Sequence, residues 1–157
     1  MAGDTVTKVQ VVREFLDRNP GRYETVTALL PTCPFRTAKH VKEAFGLFRS
    51  NPEVPFLVGV TEYEFPIQLA LTPVDDLVME MTFEGGYSTT RSQNIEKRYH
   101  PNGAMYIATV EAFMQKGTFF NERMLAYRMS VIRSFDIDYP YQFEIAEILA
   151  KQIDKHE

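Results

Sequence analysis

The chain has 157 residues, 45% hydrophobic and 24% charged, which is enough for one domain with a buried core. A formal net charge of -4, with Lys and Arg scattered, excludes the basic footprint of a nucleic-acid binder. A lone cysteine, Cys33, excludes an intramolecular disulfide and suits a reducing cytoplasm, and no apolar run is long enough to span a membrane.

In chain order, Asp4 is placed to cap a helix running to about residue 16, with Val6, Val9, Val12 and Phe15 on one side. Arg18-Asn19-Pro20-Gly21 ends it. Residues 24–30 are a short β-branched and apolar run, as in a buried parallel strand. Thr37 is placed to cap a second helix with Val41, Ala44, Phe45 and Phe48 facing inward, stopped by Asn51-Pro52. Residues 54–61 read as a second strand. From 62 to 99 the pattern breaks into short extended pieces, such as 77–83, between Pro66, Pro73, Gly85 and Gly86. That predicts an antiparallel excursion out of the main sheet. Residues 103–109 return to a strand, after which Thr109 can cap a short helix to Lys116. Residues 127–129 and 135–137 are short strand pieces. Asp138 then opens a final helix with Phe143, Ala146, Leu149 and Ile153 at helical spacing. Alternating strands and helices with an inserted β-rich region predict an α/β fold with a parallel sheet and a subdomain. The only glycine pair, Gly85-Gly86, does not sit in a strand-to-helix phosphate loop.

Asp136 and Asp138 form an Asp-x-Asp pair at an expected strand end, where alternate residues share a side. Two carboxylates there suit Mg²⁺, which takes a few carboxylates together with substrate phosphates. The plainer alternative has Asp138 as a helix cap and Asp136 solvated. Asn102-Gly103 is either an ordinary turn or a place where a ligand meets bare backbone. In Phe119-Phe120, one ring is expected in the core and the other is available as an apolar wall. Arg36 and Arg91 are candidate partners for an anion, or solvated arginines. Cys33 reads as a packing residue, His40 as an exposed helix residue, and His100 as a possible ligand contact with no further support.

Three strings carry a resemblance. They are Leu29-Leu30-Pro31-Thr32-Cys33-Pro34-Phe35-Arg36, Tyr99-His100-Pro101-Asn102-Gly103-Ala104-Met105-Tyr106-Ile107 preceded by Arg91-Ser92-Gln93, and Ser134-Phe135-Asp136-Ile137-Asp138. In order and spacing they resemble the acylneuraminate (CMP-sialic acid) cytidylyltransferase family over residues 4–151. The resemblance implies a three-layer nucleotidyltransferase (GT-A/Rossmann-like) fold in which 62–99 is a dimerisation excursion. It implies transfer of CMP from CTP to a nine-carbon sugar acid with Mg²⁺ and loss of pyrophosphate, in a cytoplasmic homodimer. Asp136 and Asp138 would be the metal carboxylates, with Asp138 catalytic. Arg36, Asn102, Tyr106, Phe119 and Phe120 would meet substrate, and Arg91 would reach the partner's site.

Leu30 and Gln68 depart from the sialic acid pattern, which leaves sialic, legionaminic and pseudaminic acids open. Met1-Ala2-Gly3-Asp4 resembles an interior string of the family. The chain is therefore expected to lack the family's first βα segment and its Ala-Arg-x-Gly-Ser-Lys-Gly loop, unless another polypeptide supplies them. The competing expectation is an inactive truncated remnant that binds a sugar acid or only dimerises. A generic α/β interaction module explains the fold pattern but not the ordered motifs.

Overall fold

A computed structural model describes residues 6–84 and 94–153. Ten elements order the chain: α1 (Lys8–Asp17), β1 (Thr25–Ala28), α2 (Ala38–Arg49), β2 (Phe56–Glu62), β3 (Leu71–Pro73), β4 (Met79–Met81), β5 (Tyr99–Thr109), α3 (Val110–Lys116), β6 (Leu125–Arg128) and α4 (Pro140–Ile153). The first three helices start at threonines. Thr7, Thr37 and Thr109 each accept a hydrogen bond from a backbone N–H three residues on, satisfying a donor that the helix leaves unpaired. The expected cap at Asp4 lies outside the described residues. His40, expected to be an exposed helix residue, is half-buried and takes part in the α2 cap, where its Nδ1 accepts from the Thr37 N–H at 3.1 Å.

The main sheet has the order β1-β5-β2-β6. It is mixed: the expected parallel arrangement holds for three strands and is broken by β5. β1, β2 and β6 run in one direction, and β5 runs against both of its neighbours. The reason lies in the connections. β1 reaches β2 through helix α2, which is a crossover, whereas β2 reaches β5 through the excursion, which lets the chain reverse and pair antiparallel. Within the expected run 24–30, β1 is therefore an edge strand of the described sheet, and its partner is antiparallel.

The excursion is antiparallel as expected. Among the described residues, β3 and β4 pair only with each other, in register Leu71 to Met81 and Pro73 to Met79.

Side chains alternate across the sheet and build a core on each face. Phe56, Val58, Val60, Tyr106 and Ala108 pack with Val9, Val12 and Leu16 of α1 and Phe113 of α3. Leu57, Met105 and Ile107 pack with Ala44 and Phe48 of α2. Helices thus cover both faces, giving three layers. Val9 and Val12 face inward as expected, but Val6 and Phe15 are exposed. On α4 the buried residue is Ala146, while Phe143, expected inside, is exposed.

Candidate functional site

Because β1, β2 and β6 point the same way, their carboxyl ends share one edge of the sheet, and the reversed β5 brings its amino-terminal half there. Open α/β sheets bind ligands at this edge. Three segments meet at it: the loop after β1, Asn102-Gly103 of β5, and the turn and extended stretch after β6.

The stretch after β6 is not a strand, contrary to expectation. A 3-10 turn, Ile132–Ser134, leads into irregular backbone that runs to α4. One backbone bond anchors it, the Ile137 N–H donating to the Thr32 carbonyl at 2.9 Å. Among the described residues it pairs with no strand. Asp136 lies in this stretch and is half-buried. A Cβ placed on Gly103 would lie 3.0 Å from Asp136 Oδ2, so the carboxylate rests against bare backbone. The other oxygen, Oδ1, is buried and has no hydrogen-bond partner among the described residues. Leaving such an oxygen unpaired costs about 1–3 kcal/mol or more, so an orphan at a sheet's carboxyl edge asks for a ligand.

Asn102 and Gly103 are not a turn. They lie inside β5, where Gly103 takes φ 72° and the ladder to β2 shifts register between Val58 and Val60. The bulge turns this part of the strand toward the edge. Asn102 is 3% exposed, and its amide is engaged by Ser134 and by the Ala104 N–H. Arg36, half-buried, donates through Nη1 to the carbonyls of Leu30 and Ala104, bracing the loop after β1 against β5. Cys33 is buried beside this brace as expected, its thiol pushed up to about 11 by burial, with Arg36 pulling down and Asp136 pushing up.

A second cluster stands three residues further along β5, roughly 10 Å away by strand rise. The Tyr106 ring packs on Phe119 at 5.8 Å and meets Phe120 edge-on at 5.7 Å between centroids. Phe119 is fully buried and Phe120 is 39% exposed, the division expected for the pair. Lys8 of α1 places its Nζ 3.4 Å from the Tyr106 centroid and 5.9 Å from that of Phe120. Sequence reasoning missed Lys8. Its only signal was a cation in the first turn of a helix, and the ring it covers lies far along the chain.

The structure therefore brings Arg36, Asn102 and Asp136 to one edge and Tyr106, Phe119 and Phe120 into one shelf. Asp138 is exposed. It is also not the cap of α4: the helix starts at Pro140, and Gln142 Oε1 accepts from the backbone N–H groups of Asp138 and Tyr139. Arg91 lies outside the described residues. Among the described residues, no three His, Cys, Asp or Glu side chains gather as a metal cluster. The Asp136/Asp138 pair offers oxygen donors only, and the orphaned Asp136 Oδ1 fits a hard divalent cation completed by water and phosphate oxygens. No helix among the described residues is long and apolar enough to cross a membrane.

No protein-family model matches the chain. Curated relatives do. An N-acylneuraminate cytidylyltransferase of Escherichia coli O18:K1:H7 is 36% identical over 79% of this chain and 29% of that protein. A pseudaminic acid cytidylyltransferase of Campylobacter jejuni serotype O:23/36 is 32% identical over 91% of this chain and 61% of that protein. An N-acylneuraminate cytidylyltransferase of Streptococcus agalactiae serotype V is 30% identical over 88% of this chain and 33% of that protein. The likeness carried by the motifs is thus borne out. The chain spans from under a third to about three-fifths of the length of these relatives.

Proposed function

We propose that this chain provides the metal and sugar-acid side of a cytidylyltransferase site, one that transfers CMP from CTP to a nonulosonic acid and releases pyrophosphate. The observation that carries the reading is the Asp136 carboxylate. It is set against Gly103 with one oxygen buried and unpartnered, in a chain similar to cytidylyltransferases of two sugar acids.

Asp136 and the exposed Asp138 would hold Mg²⁺, which when bound supplies positive charge against the triphosphate. Arg36 keeps the loop after β1 against β5 and so shapes the floor of the edge. Phe120, set against the Tyr106 ring, offers an apolar wall to an acyl or methyl substituent, with the Lys8 ammonium as a donor beside it. The roughly 10 Å from Gly103 to Tyr106 along β5 is the scale of a sugar ring with its substituents.

The β3–β4 hairpin is proposed as a dimerisation element, with Arg91 reaching the partner's site. Phe65, Leu71, Leu77, Met79, Met81 and Phe83 are all exposed, and Leu77 is 93% so. A two-stranded sheet with bare apolar side chains is marginal in water by itself. Sedimentation of the protein and of Leu77→Lys tests this. The expected result is a dimer that the substitution dissociates, and a monomer at micromolar concentration in both would refute it.

The activity test is pyrophosphate release with CTP, Mg²⁺ and sialic, legionaminic and pseudaminic acids in turn. With a polypeptide carrying the Ala-Arg-x-Gly-Ser-Lys-Gly segment supplied, turnover with one acid is expected, and Asp136→Asn should lower it by about 100-fold or more, the effect of several kcal/mol of lost charge stabilisation. Equal rates in the variant, or no turnover with any acid, would refute the reading.

A further inference from the structure

Asn102 is nearly closed to solvent, and its carboxamide is occupied at both ends. Its Oδ1 accepts from the Ala104 N–H at 3.1 Å and its Nδ2 donates to Ser134 Oγ at 2.8 Å. A side chain in that state has little to offer a substrate. What it does is join two segments far apart in sequence, the bulged start of β5 and the turn after β6. We infer that Asn102 is a positioning residue for Asp136, acting through Ser134, and not a contact to the sugar acid. The inference rests on the metal role proposed for Asp136.

Four further observations converge on it. Ser134 stands two residues before Asp136 and is itself buried, so pinning its hydroxyl fixes the entry to the carboxylate. On the far side the Ile137 N–H is held by the Thr32 carbonyl, so the short span carrying Asp136 is tied at both ends. A Cβ on Gly59 of β2 would come within 2.7 Å of Asn102 Oδ1, closer than any real contact allows, so glycine there is what lets the amide lie flat across the sheet edge. Gly103 in turn leaves the room that Asp136 Oδ2 occupies. Gly59 thus makes room for the Asn102 amide, the amide holds the Ser134 hydroxyl, and Gly103 makes room for the Asp136 carboxylate, whose Oδ1 has no partner among the described residues. Partners of this kind, one layer behind a metal ligand, typically carry about 10–100-fold of metal affinity because they hold the ligand's direction.

The test uses Mn²⁺ as the probe, its free concentration followed by electron paramagnetic resonance without nucleotide. Ser134→Ala and Asn102→Ala are compared with the parent protein, with Asp136→Asn and with Ser134→Thr, which keeps the hydroxyl. Phe48→Leu serves as a core variant remote from the edge, and thermal melts report folding in every case. The expected result is Mn²⁺ binding by the parent, loss in Asp136→Asn, and about 10–100-fold weaker binding in Ser134→Ala and Asn102→Ala. Ser134→Thr should recover the parent affinity, and Phe48→Leu should lose stability without losing affinity. Ser134→Ala carries the test if Asn102→Ala fails to fold. Parent-like affinity in Ser134→Ala, with binding lost in Asp136→Asn, overturns the positioning role and leaves the metal role standing. No binding by the parent protein, or undiminished binding by Asp136→Asn, overturns the metal role and the positioning role together.

Discussion

Replacing Gly103 with alanine separates the backbone cost of the bulge from its consequence for Asp136. The residue has φ 72°, in the left-handed region where an added Cβ meets the following carbonyl. That conformation costs an L-residue roughly 1–2 kcal/mol. The new methyl would also stand 3.0 Å from Asp136 Oδ2 and 3.5 Å from Leu30 Cδ1. The first of these contacts is too short, so the carboxylate must retreat by a few tenths of an ångström. Its span is tied by Ile137 to Thr32, so the retreat is only partly free, and the total loss should be about 2–3 kcal/mol. In urea unfolding with a slope of about 2 kcal/mol/M, that is a midpoint lowered by about 1 M or somewhat more, with the slope unchanged. Gly46 provides the internal control, because it lies in α2 with nothing within 4 Å of its would-be Cβ. Gly46→Ala should raise stability by about 0.5–1 kcal/mol. A Gly103→Ala midpoint within error of the parent, or a Gly46→Ala midpoint lowered as much as that of Gly103→Ala, would refute the reasoning.

Two further outcomes are expected. The Cys33 thiol, raised by burial from 9.0 to about 11, keeps its proton in the folded protein over a pH range where the unfolded chain has lost it. The stability it contributes is thus complete below pH 9 and is lost as pH rises toward 11, so Cys33→Ala should flatten the fall in melting temperature over that interval, and an unchanged slope would contradict this. Lys8→Met keeps the length of the side chain and removes the charge over Tyr106. It should cost about 0.5–1 kcal/mol of stability and raise KM for the sugar acid while leaving KM for CTP unchanged, and equal shifts in both KM values would remove Lys8 from the sugar shelf.

Features that depend on near neighbours were legible before any coordinates. Thr37 and Thr109 cap helices through atoms three residues away, and the inward face of α2 follows from a 3.6-residue period acting within one element. The motif strings were legible for a related reason, since their order along the chain is itself the signal. Periodicity can also mislead. Phe143 shares helical spacing with Ala146, yet only one of them is covered, because a period states that a helix has an apolar stripe and not what lies opposite it. The direction of β5 could not be read from its residues, because direction is set by whether the preceding connection crosses over or turns back. Tertiary structure alone also decided the site. Ser134 closes on Asn102 from 32 residues away, Lys8 reaches Tyr106 from near the start of the described residues, and Asp136 has one oxygen with no partner among the described residues. The first two are contacts between segments whose separation in sequence says nothing about their distance in space, and only the packing of the sheet brings them together.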